Sequence, residues 1–202
     1  MGGARILPRA FYDRPTLTVA EALIGKVLVH ETPEGAASGM IVETEAYIGE
    51  DDPACHAACG PTRRNAPLYG PAGMAYVYLN YGIHYLVNAV TQGPGDPAAV
   101  LIRALHPIDG IGLMTERRAR AGRPVPVHHL CRGPGNLSRA LGIALAQNGG
   151  DLTSGALRIE DRGLRAGAVS WGPRIGIRVA TKRPWRCAVV GNASVSGPPM
   201  RA

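Results

Sequence analysis

Lys26-Val-Leu-Val-His30, Pro33-Glu34-Gly35 and Gly39-Met-Ile-Val-Glu-Thr-Glu-Ala-Tyr47 form the stretch on which the fold turns. The first and third pieces are rich in β-branched and apolar residues, and the second has the Pro/Gly chemistry of a chain reversal. Together they read as a hairpin. More strands follow the same logic. Tyr76-Val-Tyr-Leu-Asn80 and residues 83–90 flank a turn at Tyr81-Gly82, and the apolar run at 98–105 reads as a buried strand. Residues 157–160, 175–179 and 187–190 are expected as late strands. Thr18-Val-Ala-Glu21 has the spacing of a capping box and predicts a short helix ending near Gly25. Further helices are expected over residues 109–120 and 135–146, the second entered through Gly133-Pro134. Short strands in succession with a few helices define an α+β chain built on a mainly antiparallel sheet. It is read as one domain over residues 1–202, with an ordered core of about 5–197 and fraying after Gly197.

Composition narrows the function. The 202 residues carry 22 Lys+Arg against 15 Asp+Glu, for a net charge of +7. Lysine occurs only at Lys26 and Lys182, so the positive charge is almost all guanidinium, which suits phosphate contacts. A basic domain fits nucleic acid, although charge alone is shared with many proteins that bind none. The opening MGGARILPRAFYDRP has no long apolar stretch, and no run is long enough to span a bilayer. The expectation is a cytoplasmic protein, nucleoid-associated if bacterial, with no membrane partner and with reduced thiols at Cys55, Cys59, Cys131 and Cys187. Cys55-His56 and Cys59 lack the second ligand pair of a structural zinc site, so neither metal nor cofactor is expected.

Alternation along 39–47 places Ile41, Glu43, Glu45 and Tyr47 on one strand face. That is either a solvated face or a carboxylate held against an aromatic wall as a general base. Asp51 and Asp52 follow in a loop and read as solvated acids. The Gly/Pro-rich residues 49–75 form a loop long enough to suggest function. Four of the seven tyrosines, Tyr76, Tyr78, Tyr81 and Tyr85, fall within ten positions. Tyr76 and Tyr85 read as ordinary sheet residues. Tyr81, beside Gly82 at a hairpin tip, has nothing local to pack on and suits insertion between bases. Arg103 interrupts an apolar run and needs either an ion pair with Glu43 or Glu45 or a ligand. Arg117, Arg118, Arg120 and Arg123 read as a solvated helix face, and His128-His129 as surface.

Val42-Glu-Thr-Glu-Ala-Tyr47, His56, Tyr76-Val-Tyr78, Tyr81-Gly82, Asn88, Leu101-Ile-Arg-Ala-Leu105, Gly133-Pro-Gly-Asn-Leu137 and Arg183-Pro184 share an order and spacing over most of the chain, from about Phe11 to Gly191. In these pieces the sequence resembles the alkyladenine (3-methyladenine) DNA glycosylase family. The resemblance implies a curved antiparallel sheet with flanking helices and a protruding β-hairpin that enters the minor groove. It implies a monofunctional base-excision-repair hydrolase of N-glycosyl bonds, acting as a monomer without cofactor. Its partner would be double-stranded DNA, from which it flips alkylated or deaminated purines of the 3-methyladenine, ethenoadenine or hypoxanthine type. By that likeness Glu45 activates water, and Tyr47, His56 and Tyr78 stack on the flipped base. The main chain at Ala54 and His56 reads the purine edge, Asn88 crowds the guanine amine, and Arg103 supports the pocket. Tyr81 fills the vacated stack, with Arg64 and Lys182 as further DNA contacts. Whether a second residue such as Leu68 inserts is left open. Two other readings compete. A non-catalytic nucleic-acid-binding domain explains charge and tyrosines but not the carboxylate. A hydrolase of free nucleosides explains Glu45 but has no use for Tyr81.

Overall fold

The hairpin read at residues 26–47 is present, and its second strand is longer than expected. In the computed structural model, which describes residues 3–119, 124–198 and 200, the elements run β1 (Arg5–Ile6), α1 (Arg9–Tyr12), α2 (Thr16–Ala22), β2 (Val27–Thr32), β3 (Gly35–Ile48), β4 (Ala75–Asn80), β5 (His84–Val90), β6 (Ala98–Asp109), α3 (Ile111–Arg118), α4 (Pro134–Leu141), β7 (Leu157–Asp161), β8 (Val169–Gly172) and β9 (Arg186–Val189). Short 3₁₀ turns lie at His56–Cys59 and Ala66–Tyr69 within the long loop. The strands form one curved antiparallel sheet in the order β1-β7-β2-β3-β6-β5-β4, with β9 joining β3 to β8. This is the expected α+β class in a single domain.

β3 is the spine. Its first half pairs with β2, from Thr32↔Gly35 to Val27↔Met40, and its second half pairs with β9, from Glu43↔Ala188 to Glu45↔Arg186. β6 runs along its other edge. The sheet therefore forks near Glu43. At the fork the register against β6 slips between Ile41 and Glu43 and again between Glu43 and Thr44. One unpaired residue reverses the in/out alternation. Ile41 packs in the main core with Ala46, whereas Val42 joins a smaller cluster with Ala104 and Ala188. The single face expected for Ile41, Glu43, Glu45 and Tyr47 is thus corrected: Ile41 belongs to the opposite side.

The main core fills the space between the sheet and the helices, with Leu28, Ile41, Val87 and Ile102 facing Val19, Met114, Leu137 and Leu141. Packing also resets helix boundaries. α2 starts at Thr16 rather than through a box at Thr18, because the buried Thr16 hydroxyl donates to Gln92 Oε1 at 2.7 Å while Thr18 stays exposed. α3 starts at Ile111, since Asp109 still belongs to β6 and Gly110 turns the chain at φ 71°. A Cβ at Gly110 would sit 2.3 Å from the Ala36 carbonyl oxygen. α4 ends at Leu141, where Gly142 takes φ 71°. Arg118 is buried and donates from Nε to Leu130 O at 3.0 Å, so it is no solvated residue; Arg120 and Arg123 lie outside the described residues. The expected strand at 175–179 does not form, while β1 and β8 were not foreseen. Packing continues past Gly197: Met200 Sδ lies 3.0 Å from an Arg186 terminal nitrogen. No helix among the described residues is long and apolar enough to cross a membrane.

Candidate active site

The fork in β3 buries two carboxylates completely, Glu43 and Glu45 at 0% exposure, which removes the solvated-face reading. Arg103, from β6, reaches both: Nε donates to Glu43 Oε1 and NH1 to Glu45 Oε2, each at 3.2 Å. The two acids then differ. Glu43 is enclosed, with Oε1 also accepting from Arg186 Nε at 2.6 Å and Oε2 from the Ser196 amide at 2.8 Å. Glu45 accepts from the Tyr47 hydroxyl at 2.9 Å on Oε2 and from the Ile175 amide at 2.7 Å on Oε1. Burial pushes the Glu45 carboxyl above its ordinary range, opposed by Arg103, the Ile175 amide and Tyr47. A buried carboxyl with a raised pKa beside a cleft is the expected build of a general base.

Tyr47, Ala54, His56 and Tyr78 line both a cleft of about 330 Å³ and an adjoining cavity of about 30 Å³. Tyr81, Arg103 and Ile175 complete the cleft; Leu68, Tyr76 and Asn88 close the cavity. The cleft can take a planar heterocycle, and the cavity is about the volume of one water. The His56 and Tyr78 ring centroids are 4.5 Å apart. His56 Nδ1 shares a 2.8 Å hydrogen bond with the Tyr76 hydroxyl, so Tyr76 orients a pocket ring and is not the ordinary sheet residue expected. Burial, then Arg64, holds the His56 pKa below its usual value, and burial pushes Tyr76 up to about 12. Asn88 Nδ2 donates to Tyr76 O at 2.9 Å. Leu68 is buried in the pocket wall, so it is not a projecting residue.

The loop carrying Ala54 and His56 is held by a residue read as solvated. Asp52 is fully buried and accepts from both terminal nitrogens of Arg174, at 2.5 and 2.8 Å. Burial alone would raise the Asp52 carboxyl; Arg174 holds it below the usual range. Sequence reading also missed Arg174, whose partner lies 122 positions away. The only local sign was a charged residue ahead of the apolar Ile175.

The β4–β5 hairpin presents the other unusual surface. Tyr81 is 79% exposed and Ile83 73%. The turn is closed by the Ile83 amide on Asn80 O at 3.1 Å, with φ 48° at Tyr81 and 68° at Gly82. Consecutive positive φ values suit Asn-Gly or Gly-Gly. A tyrosine there is strained and recovers nothing by packing. Arg64 is exposed, donates to Leu79 O at 3.1 Å and lies 5.6 Å from the Tyr78 ring. Lys182 is exposed in the loop before β9, whereas Lys26 pairs with Asp161 at 2.6 Å. The four cysteines are unpaired, and among the described residues no group of three or more His, Cys, Asp or Glu is placed to hold a metal ion.

Residues 10–193 match the methylpurine-DNA glycosylase family, and the chain belongs to it: it is a DNA repair enzyme of the class that hydrolyses N-glycosyl bonds. Its relatives include a protein of Rubrobacter xylanophilus, 51% identical over 180 residues, covering 89% of this chain and 90% of the relative. One from Methanocella arvoryzae is 49% identical over 185 residues, covering 90% of each chain. Another from Burkholderia lata is 46% identical over 201 residues, covering 97% and 93%. All three carry the name "Putative 3-methyladenine DNA glycosylase".

Proposed function

We propose that this enzyme flips alkylated purines of the 3-methyladenine type out of duplex DNA and cleaves the glycosidic bond with water activated by Glu45. The observation that carries the reading is the buried Glu45 carboxylate bonded to Tyr47 and Arg103, both of which line the tyrosine-walled cleft. Extrusion costs a few kcal/mol and less for damaged bases. Stacking returns roughly 1–3 kcal/mol per base, so Tyr47, His56 and Tyr78 can offset it. An alkylated purine is cationic and favours a π-rich wall, against which a neutral His56 adds no repulsion. Water oxygen then bonds to C1′ as the C1′–N bond breaks. Its proton passes to Glu45, and the cationic base leaves neutral. The same carboxylate stabilises charge developing on the sugar. Asn88 at the cavity wall would crowd a guanine amine, and the Ala54 and His56 main chain would read the purine edge. Ethenoadenine and hypoxanthine, being neutral, would need protonation before leaving.

Family membership displaces a non-catalytic binding domain, and the exposed hairpin tip favours duplex DNA over free nucleosides. The direct test uses duplexes carrying 3-methyladenine, ethenoadenine or hypoxanthine. Abasic sites are expected without strand cleavage, and borohydride should trap no adduct, because Lys26 is tied to Asp161 and Lys182 does not line the cleft. Hydrolysis of free nucleosides with none on the duplexes would overturn the proposal.

In this scheme Tyr81 fills the vacated stack, with Arg64 and Lys182 on the phosphates. Tyr81→Asn relieves a strained turn, so the melting temperature should hold or rise slightly. Single-turnover excision should fall most for a well-paired lesion and least in a bulge, where less unstacking is needed. A large drop in melting temperature, or equal losses on both substrates, would rule out the wedge.

A further inference from the structure

Arg174 is a buried side chain beside the site that the scheme above leaves unused. Its side chain is fully buried. Besides its two bonds to Asp52, it donates to Ala46 O at 3.0 Å. Its Cζ lies 4.6 Å from the Tyr47 ring centroid and 5.0 Å from that of Trp185, within cation–π range of both. The next residue is Ile175, whose amide donates to Glu45 Oε1 at 2.7 Å. One side chain therefore joins three parts of the site. It meets β3 through Ala46, the Ala54–His56 loop through Asp52, and the reactive carboxylate through the adjoining peptide.

We propose that Arg174 is a positioning residue for the hydrolysis, fixing the Ile175 amide on Glu45 and the Tyr47 ring beside it so that the carboxylate meets water at one angle. The inference rests on Glu45 being the base. Residues 173–180 belong to no strand, so no ladder holds the 174–175 peptide in place. Its anchor is the planar fork of Arg174, which lysine cannot reproduce. A misplacement of about 1 Å can cost about 10²-fold in rate. The Ile175 amide also favours ionised Glu45, as do Arg103 and the Tyr47 hydroxyl, while burial and Glu43 oppose it. Tyr78 faces Glu45 from the cleft wall, Arg186 lies opposite it on β9, and the Arg174 charge itself also favours the ionised form, a contribution that Arg174→Lys retains. Loosening the amide therefore moves the acid limb of the rate profile to higher pH, an effect that simple loss of stability would not produce.

Two variants test this. Arg174→Lys keeps a charge beside Asp52 but has neither fork nor planar face. Arg174→Met combined with Asp52→Asn removes both charges, so neither is left uncompensated. Each is followed by melting temperature, lesion-duplex affinity and single-turnover excision of 3-methyladenine across pH, alongside Glu45→Gln. The expected result is a loss of roughly 10- to 10²-fold in rate, larger than any loss of affinity, with the acid limb displaced upward. A folded Arg174→Lys with the parent rate, or a slower one with an unmoved limb, overturns the proposal. So does failure of both variants to fold, which would make Arg174 a structural prop. If Glu45→Gln keeps the full rate, the general-base reading itself fails. If Glu45→Gln is inert while Arg174→Lys behaves as the parent, this inference alone fails.

Discussion

Glu45→Gln should slow single-turnover excision by about 10²- to 10⁴-fold, the usual range for loss of a general base, with lesion-duplex binding nearly intact. The substitution keeps the shape of a side chain whose oxygens accept from Tyr47, Arg103 and the Ile175 amide. It removes both the proton acceptor and the negative charge facing the developing sugar cation. The pH profile provides a second check. Burial raises the Glu45 pKa more than its donors lower it, and the base works only when ionised. Activity on a cationic lesion should therefore decline with falling pH at a value above the ordinary carboxylate pKa of about 4.3. That limb should vanish in Glu45→Gln. A cationic lesion is needed, because a neutral base requires a proton to leave and would add a trend of opposite sign. Full activity in Glu45→Gln would refute the assignment and move attention to Glu43.

Glu43→Gln should instead act on the fold. Glu43 is the shared counter-ion of Arg103 and Arg186, with side chains 7% and 3% exposed against 0% for Glu43, so solvent screens little of the interaction. Removing one partner of a buried pair costs roughly 3–5 kcal/mol, because the remaining charge is left uncompensated. For a domain of this size that corresponds to a fall of roughly 6–20 °C in melting temperature. Well below that temperature the variant should keep part of its excision rate, since Arg103 NH1 and the Ile175 amide still hold Glu45. Thermal unfolding and single-turnover kinetics on the same sample separate the outcomes. Near-complete loss of excision at an unchanged melting temperature would exchange the roles of the two acids.

The contrast between these acids also marks the limit of what local sequence conveys. The pattern of Glu43 and Glu45 was legible as two acids two positions apart on a strand, but it did not say which was enclosed by arginines. That depends on where Arg103 and Arg186 arrive from β6 and β9, and on a register slip at residues 41–44 that moved Ile41 to the other side. Asp52 shows the same limit. Alone it is an acid in a polar loop, and a guanidinium 122 positions away makes its burial tolerable. Tyr76 read as sheet until His56 came within 2.8 Å of its hydroxyl.

By itself the sequence determined what depends on neighbours one to four positions apart. The strand periods, the turn at Tyr81-Gly82 and the α+β class belong there, and the order of motifs along the whole chain points to the family. The exposed hairpin tip belongs there too, because a turn residue with nothing local to pack on stays exposed. Tertiary structure alone decided helix starts, the absence of a strand at 175–179, the burial of Leu68 and the clamp formed by Arg174 with Asp52. Those depend on desolvation. A buried charge or amide is stable only where a partner from another part of the chain completes its hydrogen bonds, and such a partner leaves no mark on the residues beside it.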